Sequence, residues 1–176
     1  MKPLRLAAAL VLLASTASAQ VLFEDNFDAN PTGLNLTPAG WTVTGGSVDT
    51  VGQGTFPDIC APTGQTCIDL DGSTLDAGRL QSMATFALQP GVRYNLTFDY
   101  TWNSFAQDNG NTMIFGVGGF REVMAISETR PAEPQHYRTW TLSFDGDGTN
   151  GAIFFDHQGG DDGGIVIDNV RFSVAP

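Results

Sequence analysis

Among the side chains able to do chemistry, Asp168 stands out within "GGIVIDNVRF" (163–172). With the two-residue period of a strand, Val166, Val170, Phe172 and then Val174 share one face, and Asp168 shares it with them. A carboxylate on an apolar face is unfavourable unless it is neutralised, hydrogen-bonded or bound to a cation. The opening segment "VLFEDNFD" (21–28) supplies Glu24, Asp25 and Asp28. Calcium takes about six to eight oxygens from carboxylates and main-chain carbonyls. Asp168 with Glu24 or Asp25 is therefore a candidate structural calcium site, provided that the two ends of the chain meet. The alternative is a bulge in which main-chain N–H groups satisfy Asp168.

A second constellation lies in "DYTWNSFAQDNGN" (99–111). Aromatic rings flanked by planar polar groups suit a sugar, whose apolar ring face stacks while its hydroxyls are hydrogen-bonded. Trp102, Tyr100 and Phe105 are the candidates for the platform, with Asn103, Gln107, Asp108 and Asn109 beside them. Arg121 and Arg130 could add bidentate donors. Tyr94, Phe98, Tyr100, Trp140 and Trp41 are expected in the core.

Catalytic signatures are missing. There is no G-x-S-x-G and no metalloprotease helix. His136 and His157 stand singly and are expected on exposed strand or loop positions. The 19 acidic residues single out no glycosidase pair. "DLDGSTLD" (69–76) has its glycine at the wrong place for an EF-hand loop and no closing Glu, so it reads as a turn. No enzyme activity is expected.

These residues need elements to position them, and the recurring signal is the short strand. In "YNLTFDYTW" Tyr94, Leu96, Phe98, Tyr100 and Trp102 alternate with polar residues, and "TWTLSF" repeats the pattern from Thr139. Further strands are expected over 21–27, 41–51, 67–70, 79–88, 112–118, 122–127, 151–156 and 165–174. Gly and Pro interrupt any helical period. Many short antiparallel strands in one medium chain imply an all-β jelly-roll sandwich of two packed sheets.

Lys2 and Arg5, the apolar run from Leu6 to Ala14 and then Ala17-Ser18-Ala19 read as a secretory signal peptide over 1–19, followed by one domain over 20–176. The protein is thus expected to be secreted, extracellular or periplasmic, with no membrane insertion. Without Lys2 and Arg5, six of the eight basic residues face 19 acidic ones, a balance of about −13. Such a field excludes nucleic acid as a partner and favours cations or neutral ligands. Cys60 and Cys67 are the two cysteines, and in an exported chain they are expected to form a disulfide across "CAPTGQTC".

Several phrases fall in a recognisable order: "GWTVTGGSVDTVG" (40–52), "IDLDGSTLDAGRLQS" (68–82), "FALQPGVRYNLTFDY" (86–100), "YRTWTLSFDGDG" (137–148) and "GGIVIDNVRFSV" (163–174). In this order they resemble the secreted bacterial choice-of-anchor and PEP-CTERM-type surface proteins, and the related plant cell-wall domain of unknown function. Both are built on the galactose-binding-like jelly roll. The resemblance implies a sandwich that binds polysaccharide or a cell-surface glycan and carries calcium beside its terminal strands. A Pro-Glu-Pro sorting motif is absent after the last strand. The competing expectation is a structural or adhesive matrix protein without a small-molecule ligand.

Overall fold

The computed structural model describes residues 19–52, 59–60, 66–103, 111–126 and 137–176. Every regular element among them is a strand. The first are β1 (Val21–Asp25), β2 (Trp41–Thr44), β3 (Asp49–Gly52) and β4 (Thr66–Asp69). Next come β5 (Arg79–Ser82), β6 (Phe86–Ala87), β7 (Arg93–Trp102) and β8 (Asn111–Val117). The order ends with β9 (Phe120–Ile126), β10 (Arg138–Asp145), β11 (Asn150–Gly151), β12 (Ile153–His157) and β13 (Ile165–Val174).

Two antiparallel sheets form the expected jelly-roll sandwich. One runs β10-β7-β13-β4-β3, with β1 also paired to β13; the other runs β2-β5-β12-β8-β9. A small β6–β11 pair stands apart from both. The alternation in β7 turns Tyr94, Leu96 and Phe98 inward, where the Phe98 ring meets Phe115 and Phe155, each at 5.0 Å between centroids. Such edge-to-face contacts add to the burial of apolar area.

Three expected strands divide, among them 151–156, which becomes the end of β11 and most of β12. The run 41–51 becomes β2 in one sheet and β3 in the other, the chain leaving β2 through Gly45 at φ 83°. The run 79–88 becomes β5 and the short β6. In each case the chain changes sheets where a single pleated strand was expected, because the corners of a sandwich need a turn.

The ends of the chain do lie side by side. Glu24 stands opposite Arg171, and Asp25 opposite Val170, in the β1–β13 ladder. A bulge in β13 corrects the expected face of Asp168. Pairing with β7 slips between Asp168 and Arg171, and Asn169 takes a left-handed φ of 50°. The extra residue reverses the alternation. Ile165, Ile167, Val170 and Phe172 all face the inter-sheet core, whereas Val166 faces out. Asp168, one step beyond Ile167, shares the outer face with Val166 rather than the inner face with Val170.

That outer face carries a second apolar cluster. Val51, Cys67 and Val166 alternate with core residues on three neighbouring strands, and Ile59, Cys60 and Tyr137 close over them. The Cys60–Cys67 disulfide forms as expected, with the Cα atoms 5.5 Å apart, and the Tyr137 hydroxyl donates to the Ile59 carbonyl at 2.9 Å.

Candidate functional site

The edge of the sandwich between β9 and β10 carries the aromatic site. These are the end strands of their respective sheets, and they approach across the edge. Phe120 on β9 stacks on Phe144 of β10 with centroids 4.3 Å apart, and Trp140 Nε1 donates to Glu122 Oε2 at 2.9 Å. Beside these contacts lies a groove of about 320 Å³. One wall is aromatic and comes from Tyr100, Trp102 and Trp140; the other is β9 from Val123 to Ile126.

The inward alternation of β7 places Tyr100 and Trp102 there, at the strand's end. Register then brings Arg138 opposite Tyr100 and Trp140 opposite Phe98. The Arg138 guanidinium lies 5.9 Å from the Trp102 ring centroid, within cation–π range. Trp140 meets Tyr100 edge-on at 6.2 Å. Trp102 is only 6% exposed, and its buried Nε1 has no hydrogen-bond acceptor among the described residues. Val123, at the lip, is 63% exposed.

Of the residues expected to bind a ligand, Trp102 lines this groove. Asn103 does not: it is buried, donating through Nδ2 to Asp69 Oδ2 at 2.8 Å and through its main-chain N–H to the Gly164 carbonyl at 2.8 Å. Its amide braces two chain segments. Arg121 projects from β9 as an exposed residue and is not part of the lining. Phe105, Gln107, Asp108 and Asn109 lie outside the described residues, as do Arg130 and His136. Tyr94, Phe98 and Trp41 are core as expected, whereas Tyr100 and Trp140 serve core and groove together. Arg138 was overlooked; its place immediately before the alternating "TWTLSF" run was the available signal.

The carboxylates of the expected calcium site, Asp168 with Glu24 or Asp25, are placed as follows. Asp25 accepts from Trp41 Nε1 at 2.8 Å and from the Phe27 main-chain N–H at 2.8 Å, one on each oxygen. Glu24 points to solvent and approaches Arg171 at 3.8 Å. Asp168 is wholly buried and accepts from the Asn169 N–H at 2.6 Å. Its neighbour across the ladder is Asp99, which accepts from Asn169 Nδ2 at 3.0 Å. Among the described residues no three His, Cys, Asp or Glu side chains form a group able to hold a metal ion.

A third constellation is buried and polar. Asp69 accepts from Asn103, from the Asp71 N–H at 3.1 Å and from the Gly164 N–H at 2.9 Å. Burial pushes its carboxyl up to about 7, against the pull of those hydrogen bonds. Burial likewise raises Asp71 to about 6, with the charge of Asp161 adding to the shift. His157, expected on the surface, is 3% exposed, and burial holds it down to about 4. Its Nε2 accepts from the Ile165 N–H at 3.2 Å, which assigns the neutral ring's proton to Nδ1. Both side chains are sealed from solvent, so this pair braces the loop between β12 and β13 and cannot reach a substrate.

No protein-family model matches the chain, and no curated protein matches it. Solved structures do match in fold. A cleaved adhesin domain of Lys-gingipain from Porphyromonas gingivalis is 16% identical, with a TM-score of 0.58 over 89% of this chain and 99% of that one. The CBM22-1 xylan-binding domain of Xyn10C from Paenibacillus barcinonensis is 11% identical, with a TM-score of 0.50 over 91% of this chain and 97% of that one. TmCBM61, solved with β-1,4-galactotriose, is 19% identical, with a TM-score of 0.52 over 86% of this chain and 99% of that one. At these identities the likeness establishes the jelly-roll fold of this chain.

Proposed function

We propose that this chain is an exported, non-catalytic carbohydrate-binding module whose ligand, a polysaccharide or cell-surface glycan, lies in the groove between β9 and β10. The observation that carries the reading is the convergence of Tyr100, Trp102 and Trp140 on one groove, with Arg138 among its lining. Aromatic faces with few polar groups are what a pyranose ring requires. Support comes from the fold shared with a xylan-binding domain and with a module that holds galactotriose. Secretion through residues 1–19 and kinship with choice-of-anchor surface proteins belong to the same proposal.

Retention on insoluble cellulose, xylan, galactan and chitin tests it. The wild type should be retained on at least one, and Val123→Glu should abolish retention without moving the melting temperature, because Val123 is exposed at the lip. No retention on any of the four would favour the second reading, an adhesive or structural module, which shares its fold with the gingipain adhesin domain.

Structural calcium at Asp168 with Glu24 or Asp25 belongs to the same proposal. Main-chain carbonyls would have to supply most of the shell there. Coincident melting curves with calcium and with EDTA would remove it.

A further inference from the structure

We propose that Gln20 becomes the amino terminus of the exported protein and closes on itself to pyroglutamate, leaving a chain with no primary amine. This rests on the reading of residues 1–19 as a signal peptide. Small residues such as Ala17 and Ala19 are the pattern after which a leader is cut. The residue that follows Ala19 is a glutamine. Cleavage gives it a free α-amine, which titrates nearer neutrality than a lysine, so its nucleophilic form is present at neutral pH. The α-nitrogen attacks the side-chain Cδ and a five-membered lactam closes. The side-chain nitrogen leaves as ammonia, taking a proton from the attacking nitrogen. No oxidant and no second substrate takes part.

The structure leaves Gln20 able to do this. It is exposed and stands immediately before β1. Its carbonyl accepts from the Val174 N–H at 2.9 Å, which ties that side of the residue to the last strand. Among the described residues no hydrogen bond engages its main-chain N–H or its side-chain amide. Lactam formation consumes the amine and the amide and spares the anchored carbonyl. The β1–β13 ladder therefore survives the reaction.

The lysine content supplies the second observation. Lys2 is the chain's one lysine, and it lies in the leader. Once residues 1–19 are gone, every remaining basic residue apart from histidine is an arginine. The α-amine of Gln20 is then the last primary amine of the protein, and cyclisation removes it together with its charge. Such a chain cannot form a Schiff base with an aldehyde, the reducing end of a sugar included. It also offers no amine to an aminopeptidase at the end where β1 is held to β13.

The full chain, exported from a bacterial host, is treated folded by reductive methylation before any digestion and then weighed by mass spectrometry. The wild type should begin at residue 20, be lighter than the uncyclised chain by one ammonia, and take up no methyl groups. Gln20→Ala, exported in the same way, should be dimethylated at its terminus, which shows that the reagent reaches this end. Its melting temperature should equal that of the wild type, because residue 20 is exposed. A wild type that begins at Gln20 and is dimethylated there would overturn the cyclisation and leave the leader standing. A chain that begins elsewhere, or that keeps Lys2, would overturn cleavage after Ala19 and the inference with it.

Discussion

His157 Nδ1 stands 3.8 Å from Asp71 Oδ2, with neither side chain reached by solvent. Each also keeps an atom without a hydrogen-bond partner among the described residues, Nδ1 on the histidine and Oδ1 on the aspartate. A neutral imidazole and a buried carboxylate at this distance make the loop between β12 and β13 sensitive to pH in opposite senses.

For His157, whose ordinary value of 6.5 falls to about 4 on folding, the unfolded chain binds more protons between those values. Stability is therefore complete above pH 6.5 and is lost as pH falls towards 4. Asp71 and Asp69 rise from 3.8 to about 6 and about 7, so their contribution is complete below 3.8 and lost as pH rises through those values. The histidine thus offsets part of the carboxylates' slope. His157→Gln should steepen the fall in stability between pH 4 and 6.5, by on the order of 1–2 kcal/mol across that window. Urea midpoints at half-unit pH intervals would show it, and parallel wild-type and variant profiles would refute it.

Gly164 is a close-packing site. A Cβ there would lie 2.8 Å from both Asp71 Cβ and His157 Cε1, whereas one at Gly160 meets nothing within 4 Å. Gly164→Ala is expected to destabilise the protein by about 1–3 kcal/mol. Gly160→Ala should change stability by less than about 0.5 kcal/mol. Thermal melting of the two variants gives the comparison directly.

Asn169 holds the bulge with φ 50° and donates to Asp99. A β-branched side chain is strained at such a backbone angle. Asn169→Val should cost about 2 kcal/mol, and Asn169→Gly clearly less, because glycine adopts the angle without strain. Denaturant midpoints that rank the two in the opposite order would show that the bulge is not what Asn169 maintains.

Cys60 and Cys67, seven residues apart in sequence, are joined within the outer apolar cluster. Chain entropy gives that link roughly 2–3 kcal/mol. The double Cys60→Ala, Cys67→Ala variant should lose about that much while the aromatic core between the sheets stays packed. Near-ultraviolet circular dichroism of the folded variant, beside its urea midpoint, separates loss of the staple from loss of the core.

Alternation along the chain was enough to establish the sandwich, most of its strands and the inner face of β7, including Trp102, since a period of two is a local property of the backbone. The cysteine pair and the meeting of the two ends were legible too, from spacing and from the expected jelly roll. The face of Asp168 was not: one extra residue at Asn169 reverses every side chain beyond it, and that slip exists only in the pairing with β7. Arg138 and Trp140 join Trp102 through register between strands far apart in sequence, and the facing wall comes from β9 in the other sheet. His157 owes its burial to a loop wrapped over Asp71. Local pattern tells which way a side chain points from its own strand. What it meets there is set by how two sheets are laid together, and that is decided only when distant segments pack.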